Sequence, residues 1–166
     1  MATQPPPPMS ALIYVDTSIP SFYHETRTAT QFQARREWTR EWWGVARLRD
    51  ELVTSLAAIA ELEAAPEPKR TKCIAVLEPL PLLQSSPAVD EMVAVYLEHK
   101  LMPADASGDA RHLALATFHG CDSLATWNCR HVANPNKRAH IERVNAMLGF
   151  ETPLLVTPFE LLEIES

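Results

Sequence analysis

The sequence predicts an α/β protein, a three-layer α/β/α sandwich around a mostly parallel sheet. Short, continuously apolar runs, residues 11–15 (ALIYV) above all, have the pattern of strands covered on both faces. Stretches with helical spacing alternate with these runs along the chain, as a parallel sheet with helices on both faces requires. Residues 105–128 (DASGDARHLALATFHGCDSLATWN) show the unit most plainly: an acidic turn, a helix, then a short strand ending on a polar residue.

Composition bounds the answer further. With 166 residues, 46% apolar and 22% charged, the chain is long enough for one domain with a sizeable core. No apolar run reaches the ~18 residues of a membrane span. The start, MATQPPPPMS, lacks the basic and apolar regions of a signal peptide. Three cysteines without a CxxC pair argue against a zinc site or disulfide framework and fit a reducing cytoplasm. A net charge of −6 argues against a general nucleic-acid coating protein, which is normally basic, but not against an enzyme that meets nucleic acid through bound divalent cations.

Taken in order, residues 1–10, with Pro5–Pro8, read as a disordered, polyproline-like lead-in, and residues 11–166 as the domain. Residues 11–15 form the first strand, with Asp16, Thr17 and Ser18 at its carboxyl end. Pro20 suits the first turn of a short helix. Residues 31–48 are helical, with Phe32, Trp38, Trp42, Val45 and Leu48 on the expected apolar face and Arg36, Arg40 and Arg47 on another. The Trp42-Trp43 pair reads as packing rather than as a base-stacking platform. Residues 52–55 (LVTS) are a second strand running into a helix through Ala64, which Pro66 and Pro68 stop. Another helix covers 68–77, and 80–83, flanked by prolines, is an edge-like third strand. A helix spans 89–100. Next come the helix with Ala110, Leu113, Ala114 and Thr117 at helical spacing, stopped at Gly120, and a strand from Ser123 to Trp127 ending at Asn128. Asn134-Pro135 caps and starts a helix that Gly149 ends. A last strand at 154–156 precedes a terminal helix, for which Thr157 and Glu160 have capping-box spacing.

This topology gives several acids a reason to meet, because chemistry in open α/β sheets gathers beyond the carboxyl ends of the strands. Asp16 follows the first strand directly. Glu61 and Glu63 lie on the helix after LVTS, two apart, so only one of them faces any given site. Asp109 lies in the first turns of its helix, and Asn128 closes the strand that follows. Asp122 begins that strand and belongs roughly 20 Å away, at ~3.3 Å per residue. Hard oxygen donors without a competing histidine–cysteine set select Mg²⁺ or Mn²⁺, and clustered carboxylates require a cation or a shared proton. Each residue also has a plainer reading: helix capping for Asp16, Asp105 and Asp109, a solvated helix face for Glu61, a turn for Asn128, and a hydrogen-bonded core histidine for His112, against which stand a metal-bound water for Asp105 and the pocket rim for His112. Arg130, His131, Lys137 and Arg138 follow the same edge and suit substrate phosphates or an ordinary solvated surface.

These motifs resemble the PIN-domain ribonucleases, particularly the VapC-like toxins of toxin–antitoxin modules. The matching pieces are IYVDTS (residues 13–18), SLAAIAEL (55–62), DARHLALA (109–116) and LATWN (124–128), extended by HVAN and TPFELL, so that the resemblance spans about residues 11–163. It implies that Asp16, Glu61 and Asp109 bind Mg²⁺ or Mn²⁺, with Glu61 selected over Glu63 by its place six residues after Ser55. Asn128 assists, and Thr17 or Ser18 supplies the neighbouring hydroxyl. It further implies metal-dependent cleavage of RNA, a homodimer, and an antitoxin protein that plugs the acidic groove. Many such toxins carry aspartate where this chain has Asn128; an amide brings oxygen without charge, which points to one tightly bound ion. The alternative is a PIN-like module that binds RNA or a protein without cutting. A phosphotransfer fold is a third option, since Asp16 follows a first strand, but Asp16-Thr17-Ser18 lacks the second aspartate of a haloacid-dehalogenase-like DxD motif, which argues against it.

Overall fold

Five strands, all parallel, make one sheet in the computed structural model, which describes residues 10–164. The proline-rich lead-in predicted for residues 1–10 therefore lies outside the described residues, Ser10 excepted. The strands are β1 (Leu12–Val15), β2 (Glu51–Ser55), β3 (Leu82–Leu83), β4 (Ser123–Ala125) and β5 (Leu154–Val156), in the order β3-β2-β1-β4-β5. The helices are α1 (Ser18–Tyr23), α2 (Thr30–Arg49), α3 (Leu56–Glu63), α4 (Lys69–Leu77), α5 (Pro87–Glu98), α6 (Ser107–Phe118), α7 (Pro135–Leu148) and α8 (Pro158–Ile164). A 3₁₀ turn at Ala104–Ala106 leads into α6. The chain starts at the central strand, builds outward through β2 and β3, and then crosses to β4 and β5. The crevice of such a sheet opens where that direction reverses, between the carboxyl ends of β1 and β4.

Both sheet faces are covered, and the side chains divide between them with the strand period of two. Tyr14, Val53, Leu124 and Leu155 face a core shared with Val89, Met92, Val93 and Tyr96 of α5, Leu113 of α6, and Ile141 and Val144 of α7. Ile13, Val15, Leu52, Ala125 and Val156 face the other core, with Ile19, Trp42, Ala46, Ala58, Leu62, Leu77 and Leu161 from α1, α2, α3, α4 and α8. This is the predicted α/β/α sandwich. Among the described residues no helix is long and apolar enough to cross a membrane.

Local signals account for most boundaries. Ser55 caps α3 by accepting from the Ala58 N–H, and Asn134 caps α7 with Pro135 in its first turn. Gly120 and Gly149 end α6 and α7 at φ of +68° and +88°, a conformation that costs glycine little. Thr157 and Glu160 exchange the reciprocal bonds of a capping box.

Three expectations need correction. The buried stripe of α2 is Thr39, Trp42 and Ala46, with Val45 and Leu48 left 43% and 81% exposed. Trp42 of the expected face is buried and Trp38 packs against the same core; small Thr39 and Ala46, not Val45 and Leu48, complete the stripe and let the helix lie close to the sheet. Thr39 is also polar for a reason: its hydroxyl donates to the Arg35 carbonyl and accepts the indole N–H of Trp127 at 2.7 Å. Strand β4 stops at Ala125, not at Trp127, because the Thr126 hydroxyl takes the Asn128 N–H at 2.9 Å and turns the chain out of the ladder. Helix α5 begins at Pro87, behind a Ser86 cap, and ends at Glu98, before Lys100 with its φ of +56°.

Candidate active site

The crevice between β1 and β4 holds Asp16 and Thr126, the residues immediately beyond each strand. Asp16 is 4% exposed. Its side chain lies on the Tyr14 side of β1, since alternate residues share a face. Ser18, at the start of α1, donates both its backbone N–H and its hydroxyl to Asp16 Oδ1, and Thr126 adds a hydroxyl contact. The Trp127 N–H in turn donates to Ser18 Oγ at 2.8 Å, tying the β1 and β4 loops together. Burial holds the Asp16 carboxyl above its ordinary pKa, more strongly than the nearby His112 and these hydroxyl bonds lower it. Among the described residues neither Asp16 nor Asp109 has a lysine or arginine partner.

Glu61 reaches the crevice from α3, and Glu63 on the same helix is exposed. Each Glu61 oxygen is held: Thr17 Oγ1 donates to Oε2 at 3.0 Å and His112 Nε2 donates to Oε1 at 2.9 Å. Partial burial works to raise the Glu61 pKa, but the His112 bond and charge and the Thr17 hydroxyl outweigh it and hold the carboxyl below its ordinary value. The contact with α6 is so close that a Cβ on Gly108 would stand 2.6 Å from Glu61 Oε1. Asp109, the next residue, is half-buried in the first turn of α6.

His112, one helical turn beyond Asp109, lies at the centre of the arrangement. It is 2% exposed. Its second ring nitrogen, Nδ1, shares a 2.6 Å hydrogen bond with the Tyr14 hydroxyl, which in turn bonds Ser55 Oγ at 2.7 Å. A line of hydrogen bonds thus runs from the end of β2, across β1, through α6 to Glu61. Burial works to lower the His112 pKa. The Glu61 bond and the charges of Glu61, Asp16 and Asp109 overcome it and raise the value. All three carboxylates, Glu61, Asp16 and Asp109, thus lie within electrostatic reach of one buried imidazole.

The other predicted residues lie as follows. Asn128 Oδ1 accepts the His131 N–H at 2.9 Å, and its carbonyl accepts from Val132 and Ala133, so its side chain shapes the loop after β4. Thr17 and Ser18 turn their hydroxyls to Glu61 and Asp16. Lys137 Nζ donates to the Leu101 carbonyl at 2.9 Å, and Arg138 pairs with Glu142 on its own helix. Arg130 is exposed, and His131 keeps a buried Nδ1 without a partner. Asp105 is exposed in the 3₁₀ turn and does not cap α6. Asp122 stands at the opposite edge, accepting the Leu12 N–H at 2.8 Å. The residues that sequence reading passed over are Tyr14, Ser55 and Thr126; His112 is the hydrogen-bonded buried histidine of its plainer reading and also borders the crevice through Glu61. The available signal was a histidine inside an otherwise apolar helix, one turn from an acid.

Among the described residues, no three histidine, cysteine or carboxylate groups are already drawn in to ligating distance of one point. The donor chemistry nevertheless suits a hard divalent cation, with carboxylates from three separate elements, one of them the buried Asp16, which has no lysine or arginine partner among the described residues. A comparison with protein-family models gives no match to the chain, and a comparison with curated proteins gives none either.

Proposed function

We propose that this protein is a metal-dependent endoribonuclease of the PIN-domain type, acting as the toxin of a toxin–antitoxin pair in the cytoplasm. The observation that supports the reading is a buried Asp16 at the carboxyl edge of a parallel sheet beside Glu61, which bonds His112 one turn beyond Asp109, in the order and spacing of the motifs that resemble the family. Asp16, Glu61 and Asp109 would hold Mg²⁺ or Mn²⁺ through hard oxygens. A cation there supplies charge stabilisation for an in-line displacement at a phosphodiester and an attacking water of lowered pKa. The Ser18 donors fix the plane of the Asp16 carboxylate, and Thr17 with His112 fixes that of Glu61. Arg130 and His131, on the loop after β4, would meet substrate phosphates in this reading. A second copy of the chain and an antitoxin covering the crevice are the protein partners of this reading.

The test is cleavage of a panel of structured RNAs by purified protein with Mn²⁺, wild type against Asp16→Asn. Loss of cleavage in the variant supports the assignment; equal cleavage by both ends it. One observation favours the second reading, a module that binds RNA or protein without cutting: the Asn128 side-chain oxygen Oδ1 is committed to the His131 N–H, so it is not free to join Asp16, Glu61 and Asp109 as a further oxygen ligand. Calorimetry separates the two readings, because no Mn²⁺ uptake at millimolar metal selects the binding module.

A further inference from the structure

The Glu61 carboxylate projects from α3 and is 40% exposed, yet it occupies a fixed place. A half-exposed glutamate ordinarily samples several rotamers and loses side-chain entropy when ordered. Here two donors from different elements grip its two oxygens, Thr17 from the β1–α1 turn and His112 from α6. The His112 ring cannot itself swing: it is buried, its far nitrogen is bonded to Tyr14, and the Tyr14 hydroxyl is anchored on Ser55 at the base of α3. Position 108 completes the fit, because only a residue without a Cβ leaves room for Glu61 Oε1.

Resting on the metal reading above, we propose that His112 is a positioning residue: held by Tyr14 and Ser55, it fixes Glu61 at the place where that carboxylate meets the cation. His112 is not itself a ligand, since Nε2 is spent on Glu61 and Nδ1 on Tyr14. This is how outer groups orient metal-binding side chains elsewhere, and their loss typically weakens metal binding about 10–100-fold. It also explains a histidine on a helix whose neighbouring positions, Leu113, Ala114, Leu115 and Ala116, are apolar and buried.

The experiment is a calorimetric Mn²⁺ titration of the full chain as wild type, His112→Gln, Tyr14→Phe and Gly108→Ala, with folding followed by circular dichroism. His112→Gln is expected to weaken Mn²⁺ binding about 10–100-fold, and Tyr14→Phe to weaken it less. Gly108→Ala should weaken it by pushing Glu61 aside while the helix persists. In a Glu61→Gln background His112→Gln should add no further loss, whereas beside Asp109→Asn its full effect should appear; a merely structural role would weaken both backgrounds alike. If His112→Gln fails to fold, Tyr14→Phe and Gly108→Ala decide. Wild-type affinity in the folded variants overturns the positioning role while leaving the metal reading intact. A wild-type protein that takes up no Mn²⁺ overturns the metal reading, and the positioning role with it.

Discussion

Replacing Asp16 by asparagine should make the metal-free protein more stable. Removing an ionised carboxylate from water costs several kcal/mol, and at Asp16 the two Ser18 donors offset only part of that, which is why the carboxyl sits above its ordinary pKa. Asparagine keeps the Oδ1 acceptor for both Ser18 bonds and presents an amide N–H toward the Thr126 hydroxyl, with no charge to desolvate. The gain is on the order of 1–2 kcal/mol, the usual return for relieving a strained functional site. At ~2–4 °C per kcal/mol for a domain of this size, Tm rises by roughly 2–8 °C. The sign with pH is fixed: a raised carboxyl pKa means the folded state binds the proton more tightly. The wild type is therefore penalised above that pKa, and the advantage of the variant shrinks in acid. Saturating Mn²⁺ should reverse the order, because ligand at 100 times Kd stabilises the wild type by ~2.7 kcal/mol and the variant far less. Differential scanning calorimetry with and without Mn²⁺ reads both halves. A metal-free variant that melts below wild type would refute the account of Asp16 as a buried, under-compensated charge.

Three further outcomes are expected. The Glu61–His112 pair should stabilise the metal-free chain in a limited pH window. The lowered Glu61 pKa gives a contribution present above its ordinary 4.5 and lost as pH falls through the depressed value. The raised His112 pKa gives one present below 6.5 and lost as pH rises through the raised value. Because Glu61 is partly exposed, the coupling in a double-mutant cycle should be only about 0.5–1 kcal/mol, and a pH-independent coupling would contradict the pairing. Thr39→Val should cost about 1–3 kcal/mol in urea unfolding by leaving the buried Trp127 indole N–H without its acceptor. Asn128→Ala should cost about 1 kcal/mol through loss of the His131 turn bond, and Asn128→Asp, which keeps an acceptor, should recover most of it.

The layers and the strand order's main demand, helices on both faces, were legible because β1, β4 and β5 are short apolar runs bounded by strong punctuation at Gly120, Asn134-Pro135, Gly149 and Thr157-Pro158. The α2 stripe was not, since Thr39 and Ala46 carry no hydrophobic weight of their own and are buried only because Trp127 and the sheet sit above them. The acids of the crevice could be picked out one by one from their places after β1 and on α3 and α6. The hydrogen-bonded line that holds Glu61 could not: Tyr14 and Ser55 read as ordinary strand residues, and only packing α6 against β1 brings the Tyr14 hydroxyl to His112, 98 positions away in the chain. Asn128 looked like a strand-end residue until the Thr126 hydroxyl was seen to end the strand first.

The central position of β1 has a consequence for synthesis. Its second neighbour, β4, lies some 110 residues downstream, and contacts that distant form late, after the intervening chain has emerged. A nascent polypeptide released only as far as α5 already contains Asp16 and Glu61, yet neither His112 nor Asp109 has left the ribosome. The crevice is completed only in the last third of translation, so no unfinished chain carries the assembled set of Asp16, Glu61, Asp109 and His112.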